Sequence, residues 1–136
     1  MSVQPLPEPL FFLDRTVATR RVREALRAQQ VSFLAHPDEF QPDTPDTEWL
    51  PAITTRGGFV LTQERRIRYN PLEQQALLAS GVGAFIVVAK DLSGAALAEC
   101  LVRALPALRR FVRQHPRPFL AKVYVDGSVQ RVTLPS

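Results

Sequence analysis

Three acids, Asp14, Asp46 and Glu64, stand where a secondary-structure element should begin or end, and that is where chemistry is usually carried. Asp14 closes the apolar run Leu10–Leu13, Asp46 follows Thr44-Pro45 at a helix start, and Glu64 comes two residues beyond Thr62. Carboxylates brought together repel one another unless a cation intervenes. Oxygen donors of this kind select hard divalent ions, Mg²⁺ or Mn²⁺. Such an ion polarises a phosphoryl oxygen and lowers the pKa of a bound water, so the chemistry implied is in-line attack of activated water on a phosphodiester. No histidine or nucleophilic cysteine is needed for it. Glu48 is a reserve for Asp46, and Asp91 is a further reserve beyond the fourth strand. Around these acids, Arg15, Arg65, Arg66 and Arg68 are candidates for phosphate contact, with Thr62 as a substrate-side hydroxyl.

Each acid also has a local explanation. Asp14 precedes a helix and can cap it. Asp46 lies in a first helical turn, where the macrodipole favours any acid. Glu64 stands amid arginines as an ion-pair partner. Trp49 fits a core position, and His36 and His115 are isolated, without metal-ligand spacing, and are assigned structural roles. Arg103, Arg109, Arg110, Arg113 and Arg117 fit a solvated face on or beyond the last helix. What favours the chemical reading of the three acids is their convergence in the fold that the rest of the chain dictates.

That fold follows from periodicity. Leu10–Leu13, Val31–Ala35, Phe59–Thr62 and Ala84–Ala89 are short apolar runs suited to buried strands. Between them, Thr16–Gln30 places Ala18, Val22, Ala25 and Leu26 on one helical face. Residues 36–45 form a polar loop. A helix from Thr44 (N-cap) and Pro45 carries Trp49, Leu50 and Ile53 inward, is bent or shortened by Pro51, and stops at Gly57-Gly58. Pro71–Ser80 is a helix ending at Gly81, and Ser93-Gly94 opens the longest helix, to about Arg113, with Pro106 as a kink. Leu120–Val125 and Ser128–Thr133 flank Asp126-Gly127, a two-residue hairpin signal.

Four strand–helix units imply an α/β fold: a mainly parallel sheet of order 2-1-3-4, helices on both faces, and a C-terminal antiparallel hairpin at one edge or beside it. In such a sheet ligands bind beyond the carboxyl ends of the strands, where strand order reverses. That point lies between strands 1 and 3, which end at Asp14 and near Glu64, with Asp46 on the same rim.

Length and composition fit this picture. The chain's 136 residues suit one domain, 10–134, after a proline-rich irregular arm at 1–9, and 46% hydrophobic residues can fill its core. Cys100, the single cysteine, excludes an internal disulfide and fits a buried thiol. The N-terminus lacks a signal-peptide pattern, and no apolar run approaches the roughly 18 residues of a membrane span, so a cytoplasmic location is expected. Basic residues outnumber acidic ones 17 to 13, and all but Lys90 and Lys122 are arginine, which is compatible with a polyanionic partner.

At these residues the chain resembles the VapC-like PIN-domain group, the short PIN-like proteins of prokaryotic toxin–antitoxin pairs. The resembling pieces are Phe-Phe-Leu-Asp-Arg at 11–15, Pro-Asp-Thr-Pro-Asp-Thr-Glu-Trp-Leu at 42–50 and Val-Leu-Thr-Gln-Glu-Arg-Arg-Ile at 60–67, with Asp-Leu-Ser-Gly at 91–94 and Arg-Ala-Leu-Pro at 103–106. In order and spacing they run from about Phe11 to Val132. The resemblance implies an endoribonuclease that depends on Mg²⁺ or Mn²⁺, with Asp14, Asp46 and Glu64 in the places of the family's acids. It implies an RNA substrate, a cognate antitoxin and a tendency to dimerise. The third acid is usually aspartate; Glu64 keeps the charge but extends it by ~1.5 Å. A catalytically degenerate PIN-like domain that binds RNA or protein without cleavage is therefore the alternative. A phosphoacceptor receiver would need an acid pair at the end of strand 1, and a dinucleotide-binding domain would need a Gly-x-Gly-x-x-Gly turn there; neither is present.

Overall fold

The computed structural model describes residues 9–64, 67, 69–89, 92 and 94–132. Its centre is β1 (Leu10–Leu13), whose Phe11, Phe12 and Leu13 are all fully buried because the strand has helices over both faces. β1 pairs in parallel with β2 (Phe33–Ala35) on one side and β3 (Gly58–Thr62) on the other. β3 pairs with β4 (Gly83–Val87), β4 with β5 (Phe119–Val123), and β5 antiparallel with β6 (Val129–Arg131). The six strands form one sheet in the order β2-β1-β3-β4-β5-β6. The expected 2-1-3-4 order is thus observed, and the chain is an α/β fold of three layers.

Strand side chains alternate between two cores. Phe11, Leu13, Leu61, Phe85 and Val87 pack under α1 (Arg20–Ala28) and the long helix that follows β4. Phe12, Val60, Ala84 and Ile86 pack under α3 (Asp46–Thr55) and α4 (Pro71–Ala79). The long helix, α5 (Gly94–Gln114), runs through Pro106 for 21 residues and buries Leu97, Cys100, Leu101, Leu105, Leu108 and Phe111. Cys100 is a core thiol, as expected; burial pushes its pKa up.

Four details differ from the sequence reading. The first helix begins at Arg20 rather than Thr16: the Asp14 carbonyl accepts the Val17 and Ala18 amides in a tight turn, and Thr19 caps the helix through the Val22 amide. Residues 36–45 are not all loop, since His36–Glu39 form a short helix, α2, with proline in its first turn. α3 has Pro45 rather than Thr44 at its N-cap, and it continues through Pro51 for ten residues.

The fourth difference lies at the C-terminal end. β5 extends the parallel sheet as a fifth parallel strand, so only β6 is antiparallel. The loop joining them is also longer than expected. Tyr124 and Ser128 still pair, leaving Val125, Asp126 and Gly127 as a three-residue connection with Gly127 at φ +87°. A two-residue type I′ turn needs positive φ at both central residues, and Asp126 does not adopt it. The expected arm at residues 1–8 lies outside the described residues, as does the terminal part of the second hairpin run beyond Val132.

Gly83 shows how tightly the centre is packed. A Cβ there would stand 2.7 Å from the Phe119 ring and 2.8 Å from the Phe59 ring. These two rings stack at 5.9 Å, so neither can yield without disturbing the other. Gly83→Ala is expected to destabilise the fold by about 1–3 kcal/mol through overpacking. Chemical denaturation of the two proteins measures this, and an unchanged midpoint would contradict the packing described.

Candidate active site

The reversal of strand order lies beside β1, between its neighbours β2 and β3. The Asp14 amide donates to the Leu61 carbonyl at 3.0 Å, which carries the β1–β3 ladder one residue past the strand and fixes the direction of the Asp14 side chain. A cavity of about 420 Å³ opens at this edge, and Asp14, Asp46 and Glu64 all line it, together with Arg15, Thr62 and His36.

Two of the acids are held by protein donors at one oxygen each. Asp14 Oδ2 accepts from the Thr62 hydroxyl at 2.7 Å and the Thr16 hydroxyl at 3.0 Å. Thr16 in turn accepts the Gln63 amide at 2.8 Å, tying the turn after β1 to the end of β3. Asp46 Oδ1 accepts from the Trp49 indole at 2.8 Å, one helical turn along α3. No hydrogen bond among the described residues uses Asp14 Oδ1 or Asp46 Oδ2. This arrangement suits metal ligation: outer donors fix a carboxylate's orientation and leave the second oxygen for an ion. Glu64 is half-buried, and its amide donates to the Thr62 hydroxyl at 3.1 Å. Thr62 is 1% exposed, and its hydroxyl is occupied by these bonds.

Among the described residues, no group of three or more His, Cys, Asp or Glu side chains is close enough to hold one ion. The three acids share a cavity without forming a closed three-ligand cage. This donor set fits an ion that keeps much of its water, as Mg²⁺ commonly does, better than a dehydrated one. Arg15 is exposed at the cavity rim, with its guanidinium bonded to the Pro42 carbonyl. Glu48 is exposed and does not line the cavity. Arg65, Arg66, Arg68 and Asp91 lie outside the described residues. Two cations assigned to a solvated face have structural contacts instead. Arg103 donates to the Val125 carbonyl, and Arg117 sits over the Phe59 ring near the Thr54 and Gly58 carbonyls.

The sequence reading did not include Thr16, Trp49 or His36 in the site. Trp49 was legible in one respect, since its i, i+3 spacing from Asp46 puts both on one helical face. His36 follows β2 directly, at the same sheet edge as Asp14, and that position was its only signal. It is 3% exposed, enclosed by Phe12, Phe40 and Trp49, and its Nδ1 has no hydrogen-bond partner.

Comparison with known families bears on this geometry. The model of the family described as "PIN like domain" matches residues 9–89, more than half of the chain and the segment that carries all three acids. The chain belongs to this family. A PIN-like domain is a nuclease-type fold, and here it is completed beyond the matched segment by α5 and the β5–β6 pair. No curated protein and no solved structure matches. No helix among the described residues of this PIN-like domain is long and apolar enough to cross a membrane.

Burial lowers the His36 pKa below its ordinary 6.5, with Arg15 adding to the effect while Asp14 and Asp46 oppose it. A depressed pKa in the native state means that the unfolded chain takes up the proton first as pH falls. The stability contributed by neutral His36 is therefore complete above 6.5 and is lost on acidification towards the lower native value. Between about pH 7.5 and 5.5 the melting temperature of the wild type should fall more than that of His36→Phe. Parallel slopes would show that His36 titrates alike in both states.

Proposed function

We propose that this PIN-like domain is a divalent-metal-dependent endoribonuclease that hydrolyses RNA phosphodiester bonds, and that it is the toxin of a toxin–antitoxin pair. The observation that carries the nuclease reading is the shared cavity of Asp14, Asp46 and Glu64, in which two acids have one oxygen fixed and one left free. The VapC-like assignment rests on the resemblance of the motifs at 11–15, 42–50 and 60–67. With it come a cognate antitoxin, a cytoplasmic setting and the tendency to dimerise.

In this reading Asp14 and Asp46 are the principal ligands of Mg²⁺ or Mn²⁺, with Glu64 as a further ligand or the residue that orients water. When bound, the ion supplies phosphoryl polarisation and an activated water. The chain's own contributions are positional. Thr62 and Thr16 hold Asp14 in one rotamer, and Trp49 does the same for Asp46. Arg15 at the rim offsets phosphate charge as the backbone enters, and Arg65 and Arg66 are proposed to extend that contact.

A second reading is a PIN-like domain that binds RNA or a protein partner without cutting. It is favoured by glutamate at the third acidic position and by the lack of a three-ligand group among the described residues.

Cleavage of RNA by the purified protein, with and without Mn²⁺, separates the two. The nuclease reading expects Mn²⁺-dependent cutting that Asp14→Asn abolishes. Metal-independent cutting, or cutting unchanged in the variant, would remove it. Trp49→Phe keeps an aromatic ring but deletes the donor to Asp46, and it should weaken Mn²⁺ binding, measured by calorimetry, by about tenfold or more. Unaltered affinity would show that Asp46 needs no such support.

A further inference from the structure

The cavity is larger than the carboxylates require, and its two halves differ in chemistry. The mouth carries the acids and Arg15. Deeper in, the floor is Val60 of β3 and Ala84 of β4, adjacent strands in direct register. The walls are Trp49 from α3, Leu77 from α4, and Ile67. Ala84 is the small residue that leaves room between the two helices. At about 420 Å³ the cavity falls within the roughly 300–1,000 Å³ typical of small-molecule pockets, which also pair an apolar lining with a few polar groups.

His36 is the polar group that this inner lining lacks an explanation for. Its ring makes no hydrogen bond, and buried polar groups are nearly always paired. Nδ1 is fully enclosed, so Nε2 is the nitrogen available to the cavity that His36 lines. A hydrated ion and a phosphate are satisfied at the mouth and gain nothing from an apolar recess. The part of a ribonucleotide with apolar faces and polar edges is its base.

We propose that the inner half of this cavity receives an unstacked RNA base next to the scissile phosphate, packed between Trp49 and Leu77 over Ala84 and contacted at its edge by His36. The inference rests on the nuclease reading and adds a substrate class: single-stranded or looped RNA, whose bases are free to leave a stack. A continuous duplex would first have to extrude a nucleotide.

Trp49 is the chain's one tryptophan, so its fluorescence reports directly on the recess. The wild-type protein is titrated with adenosine 5′-monophosphate, uridine 5′-monophosphate and ribose 5-phosphate in the presence of Mn²⁺. At least one nucleotide should quench Trp49 and bind about tenfold or more tighter than ribose 5-phosphate, the scale of one base–aromatic contact. Ala84→Leu fills the floor and should remove that preference while ribose 5-phosphate binding persists. Leu77→Phe, on a helix that can move outward, provides the same test if Ala84→Leu does not fold. Equal binding of nucleotides and ribose 5-phosphate, or a preference that survives in a folded filled variant, would overturn the proposal.

The outcome can be told apart from failure of the nuclease reading. Mn²⁺-dependent cleavage that proceeds equally well when the residue beside the scissile bond is abasic refutes the recess and keeps the ribonuclease. A nucleotide preference without any cleavage supports the recess and refutes the ribonuclease.

Discussion

β1 has no solvent side, and the rest of the molecule is arranged around that constraint. Its four residues pair with a strand on each edge and pack under helices on each face, so every polar backbone group and every side chain is committed. A strand buried in this way cannot slip in register, because a shift of one residue would exchange the two faces. Phe11 and Leu13 are locked into one core and Phe12 into the other. The first residue beyond this rigid segment is Asp14. Its amide still joins the ladder while its side chain has left the core. Placing a charge at the end of the most constrained strand gives it a fixed position at the molecule's most concave edge.

The hydrogen bonds around the acids extend that fixity outward. Thr62 ends β3 as Asp14 follows β1, and the bond between them joins two strand ends that are 48 residues apart in sequence. Thr16 closes the same corner from the following turn. Asp46 is held by a different mechanism, an indole one helical turn away whose ring is itself packed against Phe12. Side chains orienting these acids are thus drawn from both the sheet and α3. A charge-bearing site assembled in this way does not depend on loop conformation, which is the condition for precise placement of an ion or a phosphate.

The aromatic cluster of Phe12, His36, Phe40 and Trp49 links the core to the cavity. It lets an apolar surface continue from beneath α3 into the recess without a break. Burial keeps His36 neutral there, so the inner cavity holds a polar but uncharged group beside a charged mouth. The contrast between the two halves is a consequence of layer packing: the sheet supplies Val60 and Ala84, and the gap between α3 and α4 supplies the depth.

Much of this was legible in the chain itself. Apolar runs of four to six residues separated by helical periodicity allow few arrangements other than a buried parallel sheet, and parallel connectivity places strand ends on one edge. Asp14 and Glu64 could be assigned to that edge because they follow such runs directly. What the sequence did not determine was anything that depends on side chains from separate elements meeting. The hydroxyl of Thr16 looks like the start of a helix until the Asp14 carbonyl is seen to collect two amides and delay that start to Arg20. Trp49 looks like core because its hydrophobic area dominates its one donor, and it is core as well as a donor. His36 carries no local pattern at all, and its place at the cavity is decided by the pairing of β2 with β1. β5 joined the sheet in parallel because α5 crosses back over the sheet, a choice made by packing rather than by the hairpin's own residues. Local periodicity encodes elements, whereas a cavity exists only between them, so its lining was settled by tertiary contact alone.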